Sequence, residues 1–195
     1  MDLLQKGYQV ICQEFIPGGD NKAFFYIFHR NEKGVLHYVL GRKVVQNPPQ
    51  AGIMAKGIVE ENQDLSNICS TFLNKINYVG IGGIEFKEYN GKYYFIEMST
   101  RLEGFFKIGN IAGVPLGKIA YESINEFNHN QTYLSRPTAE YTDLFSLIAA
   151  FKSEKKYYQL LKELCVILFF KRYTLNIYSK HDRKPFFKLL KSLLK

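Results

Sequence analysis

The stretch from Gly80 to Gly104, GIGGIEFKEYNGKYYFIEMSTRLEG, constrains the fold of this chain more than any other. Two runs of alternating apolar and polar residues flank Asn90-Gly91. That pair between such runs is the strongest short-range signal for a β-hairpin. On the first run Ile84 and Phe86 point one way, and Gly83, Glu85 and Lys87 the other. On the second, alternation puts Tyr94, Ile96 and Met98 on one face and Glu97, Ser99 and Arg101 on the opposite one.

Register decides what the hairpin can do. A two-residue loop pairs Glu85 with Ile96 and sends the two glutamates to opposite faces. A three-residue loop with Gly91 in the left-handed region pairs Glu85 with Glu97 and gathers the apolar residues on one side. The second register is therefore expected. Two carboxylates facing each other across a ladder repel, so a cation between them would explain their presence. Hard oxygen ligands favour Mg²⁺, which commonly takes substrate phosphates as well. A solvated strand face with Lys87 as counterion is the alternative.

With 46% hydrophobic and 15% aromatic residues, the chain can bury a core. No apolar run is long enough to span a bilayer, and nothing at the N-terminus resembles a signal peptide. Cys12, Cys69 and Cys165 are odd in number and scattered among apolar neighbours. They read as reduced core cysteines of a cytoplasmic protein. The net charge of +8 is uneven. Residues 141–195 hold 12 Lys and Arg against 4 Asp and Glu, which leaves 14 of each sign in the first 140. A basic tail of this kind suits nucleic acid, an anionic membrane or a solvated helix face. The last is the reading adopted, with neither nucleic acid nor membrane as a partner.

In chain order, Tyr8–Ile16, Ala23–Arg30 and Val35–Val45 read as three antiparallel strands in a meander. Residues 46–58, rich in Pro and Gly, read as a loop, and Arg42, Lys43 and Lys56 are the cations that could reach anionic groups near it. Leu65, Ile68, Cys69, Phe72 and Ile76 make one apolar stripe, predicting a helix over Glu60–Tyr78. Gly80, Gly82 and Gly83 leave room for a close neighbour. Asn110–Gly113 is a turn, and Pro115 opens a helix over Leu116–Phe127. Then come a polar linker over 128–140, an amphipathic stretch over Asp143–Phe170, a β-like run over Tyr173–Tyr178 and a final stripe of Phe187, Leu190 and Leu194. His29 and His37 read as packing residues and His181 as a surface one. The fold class is α+β: an antiparallel sheet with helices on one face over residues 1–127, then a mainly helical basic extension over 141–195.

IEF, a hairpin and then IEMSTR resemble the metal hairpin of the ATP-grasp superfamily, in its carbamoyl-phosphate-synthase-like branch. The resemblance implies that Glu85 and Glu97 bind Mg²⁺ (or Mn²⁺). It implies that Ser99 stands where the family usually has asparagine, and that Arg101 contacts phosphate or a phosphorylated intermediate as the catalytic residue. QEFIPGGD resembles the family's hinge strand. By that match Gln13 and Glu14 lie at the adenine edge, Phe15 and Ile16 offer backbone contacts, Asp20 takes the ribose acid's place and Lys56 reaches the phosphates of ATP.

The likeness spans roughly Tyr8 to Glu122, the back half of the family's catalytic unit. No glycine-rich phosphate loop precedes Gln13. The expectation is that an N-terminal ATP-grasp part comes from the same gene or a separate subunit, and that this chain alone is inactive. A homodimer is left open. The implied function is an ATP-dependent ligase joining a carboxylate to an amine or thiol through an acylphosphate. A non-catalytic nucleotide-binding or interaction module is the alternative.

Overall fold

The computed structural model describes residues 5–125, 133, 135–170, 174, 178 and 181–193, apart from the side chains of Leu168, Leu190, Ser192 and Leu193. A six-stranded sheet in the order β5-β4-β1-β2-β3-β6 forms the centre. Its strands are β1 (Ala23–Arg30), β2 (Leu36–Asn47), β3 (Ile53–Val59), β4 (Gly80–Tyr89), β5 (Lys92–Ser99) and β6 (Glu140–Thr142), and every pairing is antiparallel. The helices are α1 (Gln63–Lys75), α2 (Lys107–Ala112), α3 (Leu116–Ile124), α4 (Leu144–Ser153), α5 (Tyr157–Phe169) and α6 (Lys184–Leu193).

The α+β class and the antiparallel sheet are as the sequence implies. Helices cover both faces, however, where the pattern suggested one. Every residue of β1 is buried, so its run AFFYIFHR needs a hydrophobic layer on each side. On one face Phe25, Ile27, Val39 and Met54 pack against Phe105, Ile108, Leu116 and Ile119. On the other, Phe24, Tyr26, Phe28, Leu40, Ile84 and Phe86 pack against Leu65, Cys69 and Leu73 of α1. Asn62 caps α1, its side chain accepting from the Leu65 amide at 3.0 Å, which starts the helix later than the apolar stripe alone suggests.

Several sequence expectations change. Tyr8–Ile16 is not a strand: residues 8–19 run without regular structure, and all of 8–15 are exposed. β-propensity reflects fit to a half-buried pleated surface, and among the described residues no strand pairs with this run. The meander is instead built from β1, β2 and β3. Ile53–Val59, expected as loop, is a strand because β2 offers it a full ladder. Glu140–Thr142, at the end of the expected linker, adds to the β3 edge. Residues 128–132 and 134 of that linker, the end of the Leu116–Phe127 helix, most of the Tyr173–Tyr178 run and two members of the final stripe (the Leu190 side chain and Leu194) lie outside the described residues. Thr174 is described and bridges to Asp143.

Only Cys69 is a core cysteine, its thiol pushed up to about 12 by burial, while Cys12 and Cys165 are exposed. Among the described residues no helix is long and apolar enough to cross a membrane.

Candidate functional site

The Glu85–Glu97 pair forms, by a different route from the one the sequence suggested. Tyr89 pairs with Lys92, so the loop is Asn90-Gly91 alone, with φ of 50° and 72°. Both residues are left-handed, as a primed two-residue turn requires. The ladder then runs Lys87↔Tyr94 and Phe86↔Phe95 before jumping to Glu85↔Glu97. Ile96 is the extra residue of a β-bulge, and the bulge shifts the phase of β5 by one. Tyr94 and Met98 therefore do not share a face, contrary to the simple alternation: Tyr93 and Met98 pack on the α1 side. The bulge sets the two glutamates side by side.

Lys43 reaches the same face from β2. Its Nζ donates to Glu85 Oε2 at 2.7 Å and lies 3.4 Å from the Gly52 carbonyl and 5.8 Å from the centre of the Phe105 ring. The lysine is buried. Burial pushes the Glu85 carboxyl above the usual range; the Lys43 charge and hydrogen bond oppose this, and the Glu97 and Glu103 charges add to it. Lys87, two residues along β4 on the same face, is also buried. Its ammonium is pulled down by burial, held up by Asp20 and pulled further down by Lys43.

Ser99 pairs with Gly83 beside the glutamates, and its buried Oγ has no hydrogen-bond partner among the described residues. An orphaned hydroxyl next to two carboxylates fits an oxygen-ligated divalent cation. Among the described residues no group of three or more His, Cys, Asp or Glu side chains is arranged as a complete metal cage. A carboxylate pair is the kind of donor set that Mg²⁺ takes, its remaining positions being filled by phosphate and water oxygens. Arg101 is 72% exposed, with Nη1 donating to the Leu102 carbonyl at 3.2 Å and lying 3.6 Å from Glu103. It lies two residues past the end of β5 at Ser99.

The other residues implied by the resemblance stand elsewhere. Gln13 Nε2 donates to the Ile96 carbonyl at 2.9 Å, while Glu14 and Phe15 are exposed and Ile16 is half-buried. Both oxygens of Asp20 are engaged: Oδ2 accepts from the Gln46 amide at 2.7 Å, and Oδ1 from the Gln50 amide at 2.6 Å and Gln46 Nε2 at 3.3 Å. Lys56 is on the face opposite Lys43 and forms a 2.7 Å ion pair with Glu163 of α5. A cavity of about 710 Å³ opens there, lined by Asp20, Arg42, Gln50, Phe151, Lys162 and Glu163, and it does not reach Glu85 or Glu97. The glycines before the hairpin admit a neighbouring backbone, since a Cβ on Gly82 would lie 2.5 Å from the Ser99 carbonyl oxygen.

Sequence reasoning left Lys43 without its partner and did not single out Glu103. Lys43 follows Gly41 at strand spacing in a segment expected to pair. That signal marks its face, but not Glu85 two strands away.

The family profile described as "Carbamoyl-phosphate synthase L chain, ATP binding domain" matches residues 35–123. The chain is 41% identical over 63 residues to the biotin carboxylase of Haemophilus influenzae and 37% identical over 62 residues to that of Allochromatium vinosum. Each match covers 32% of this chain and 13% of the relative, so the chain spans a small part of those enzymes. Two solved structures show a weaker likeness. The phosphoribosylaminoimidazole carboxylase ATPase subunit from Aquifex aeolicus aligns with a TM-score of 0.49 at 16% identity, over 60% of this chain and 35% of that one. A biotin carboxylase complex from Campylobacter jejuni aligns with a TM-score of 0.49 at 16% identity, over 61% and 28%. Residues 35–123, which hold the paired glutamates, are thus similar to the ATP-binding domain of the carbamoyl-phosphate-synthase-like branch of the ATP-grasp superfamily.

Proposed function

We propose that this chain supplies the magnesium- and phosphate-handling part of an ATP-dependent ligase that activates a carboxylate and passes it to an amine or thiol. The observation that carries the reading is the bulge-set pairing of Glu85 with Glu97, with the orphaned Ser99 hydroxyl beside them. Glu85 and Glu97 hold the metal, with Ser99 as an added oxygen donor. When bound, Mg²⁺ neutralises phosphate charge and aligns the transferred group. Lys43 keeps Glu85 ionised by contributing a buried positive charge at 2.7 Å. Arg101 swings to the phosphate oxygens, where a guanidinium binds two of them at once. No covalent protein nucleophile is required, since catalysis of this class is positioning and charge neutralisation.

Titration of Mn²⁺ with ATP into the protein that contains this chain together with its nucleotide-closing part tests the reading. Glu97→Gln should remove metal-dependent nucleotide binding and ADP release. Unchanged turnover in that variant removes the metal role. A second reading, a nucleotide-binding module without turnover, is favoured by one feature. Asp20, the ribose acid of the resemblance, has both oxygens engaged by the 46–50 loop, and the adjoining hinge segment is largely exposed. Tight Mg²⁺-ATP binding without ADP release would select it.

A further inference from the structure

The basic C-terminal segment presents a surface that a solvated helix face does not explain. Helix α5 is apolar on two sides. One side buries Leu160 and Ile167. The other carries Tyr158, Leu161, Cys165 and Phe169 at i, i+3, i+7 and i+11, one continuous stripe. Those side chains stand in solvent: Tyr158 is 81%, Leu161 62% and Phe169 81% exposed, and Val166 and Phe170 beside them are exposed too. A contiguous exposed apolar patch marks an interaction site.

Charge identifies the covering surface. Exposed lysines accompany the stripe: Lys155 and Lys162 at α5, and Lys184, Lys188 and Lys191 on α6, where Phe187 is also exposed. The acidic residues of the segment are engaged locally. Asp143 caps α4 through the Ser146 amide at 3.1 Å, Glu154 pairs with Lys156, and Glu163 pairs with Lys56. Exposed lysines thus stand at the α5 stripe and on α6. A second copy would bring like charge against like charge, and a nucleic acid would leave the stripe in water.

We infer that α5 and α6 dock on an anionic lipid bilayer, with Tyr158, Leu161, Val166 and Phe169 entering the boundary between headgroups and acyl chains and the lysines resting among the phosphates. An apolar face with basic flanks lies in the plane of such an interface, and basic residues add attraction that decays over a Debye length. This surface is separate from the glutamate pair and stands whether or not the ligase reading holds.

Co-sedimentation of the full chain with vesicles of phosphatidylcholine, with and without phosphatidylglycerol, tests the inference. Binding is expected only with phosphatidylglycerol and should fall as salt is added. The double variant Leu161→Glu/Phe169→Glu should bind about tenfold more weakly or worse. Both sites are exposed, so its circular dichroism and melting should match the parent; Tyr158→Ser is a milder variant expected to weaken binding in the same direction. No binding to phosphatidylglycerol vesicles, or equal binding by the double variant, overturns the inference. So does a stable dimer that the double variant disperses, which would assign the stripe to a second copy.

Discussion

The ammonium of Lys43 lies 2.7 Å from Glu85 Oε2, although 42 positions separate them in the chain and β1 runs between their strands. The long lysine side chain reaches across the central strand and ends on the carboxylate that the family resemblance assigns to metal. Truncation to methionine would leave Glu85 largely desolvated without its counter-charge. Lys43→Met is therefore expected to cost about 2–4 kcal/mol. Combining it with Glu85→Gln should recover most of that loss. A double-mutant cycle in urea measures the coupling, and additive losses would mean that the contact contributes nothing of its own.

Ser99 separates folding from binding. Its buried hydroxyl makes no hydrogen bond among the described residues, so Ser99→Ala should leave stability within about 0.5 kcal/mol of the parent or raise it. The same variant should weaken Mn²⁺ binding, and Ser99→Asn, which restores the family's usual oxygen donor, should strengthen it. Electron paramagnetic resonance of Mn²⁺ reads both. Equal affinities across the three proteins would show that the hydroxyl is not a ligand.

The parts of the fold written locally were legible in the sequence. Asn90-Gly91 placed the hairpin, and the apolar stripe placed α1. The pairing of the glutamates was legible too, although the loop length used to argue it was not. The turn has two residues, and the bulge at Ile96, which carries no special residue type, restores the register. What failed depended on distant partners. Tyr8–Ile16 has the composition of a strand and pairs with none among the described residues, while Ile53–Val59 follows a Pro- and Gly-rich segment and is recruited by β2. The Lys43–Glu85 contact needs the order of three strands, which pairwise patterning does not specify.

His29 and His37 face each other across β1 and β2. Burial lowers both imidazoles, and His37 lowers His29 further. In the unfolded chain they take up protons near the ordinary value of 6.5, whereas the folded chain resists until lower pH. Below 6.5 the unfolded state binds more protons, so stability is complete above that value and falls as pH drops towards the folded values. Each proton contributes a slope of about 1.4 kcal/mol per pH unit while the two states differ. Urea midpoints taken from about pH 8 down to about pH 5 should show this decline, and His29→Gln should flatten it. A slope unchanged by the substitution would place the acid sensitivity elsewhere.

β4 and β5 must come close for the glutamates to meet. A Cβ on Gly82 would stand 2.5 Å from the Ser99 carbonyl oxygen and 3.0 Å from a Phe28 ring carbon. The carbonyl belongs to the backbone of the neighbouring strand and cannot rotate away, so Gly82→Ala should push the strands apart beside the pair. The expected cost is about 1–3 kcal/mol, typical of an overpacked interior. Gly91 offers the contrast: its φ of +72° disfavours a side chain, but nothing lies within 4 Å of the added atom. Gly91→Ala should cost about 1 kcal/mol through backbone strain alone. If the separation of the strands matters, the two substitutions will differ in Mn²⁺ affinity by more than their stabilities differ, with Gly82→Ala the weaker binder. Equal affinities at matched folded fractions would show that the carboxylates tolerate a looser ladder than the one the bulge now sets.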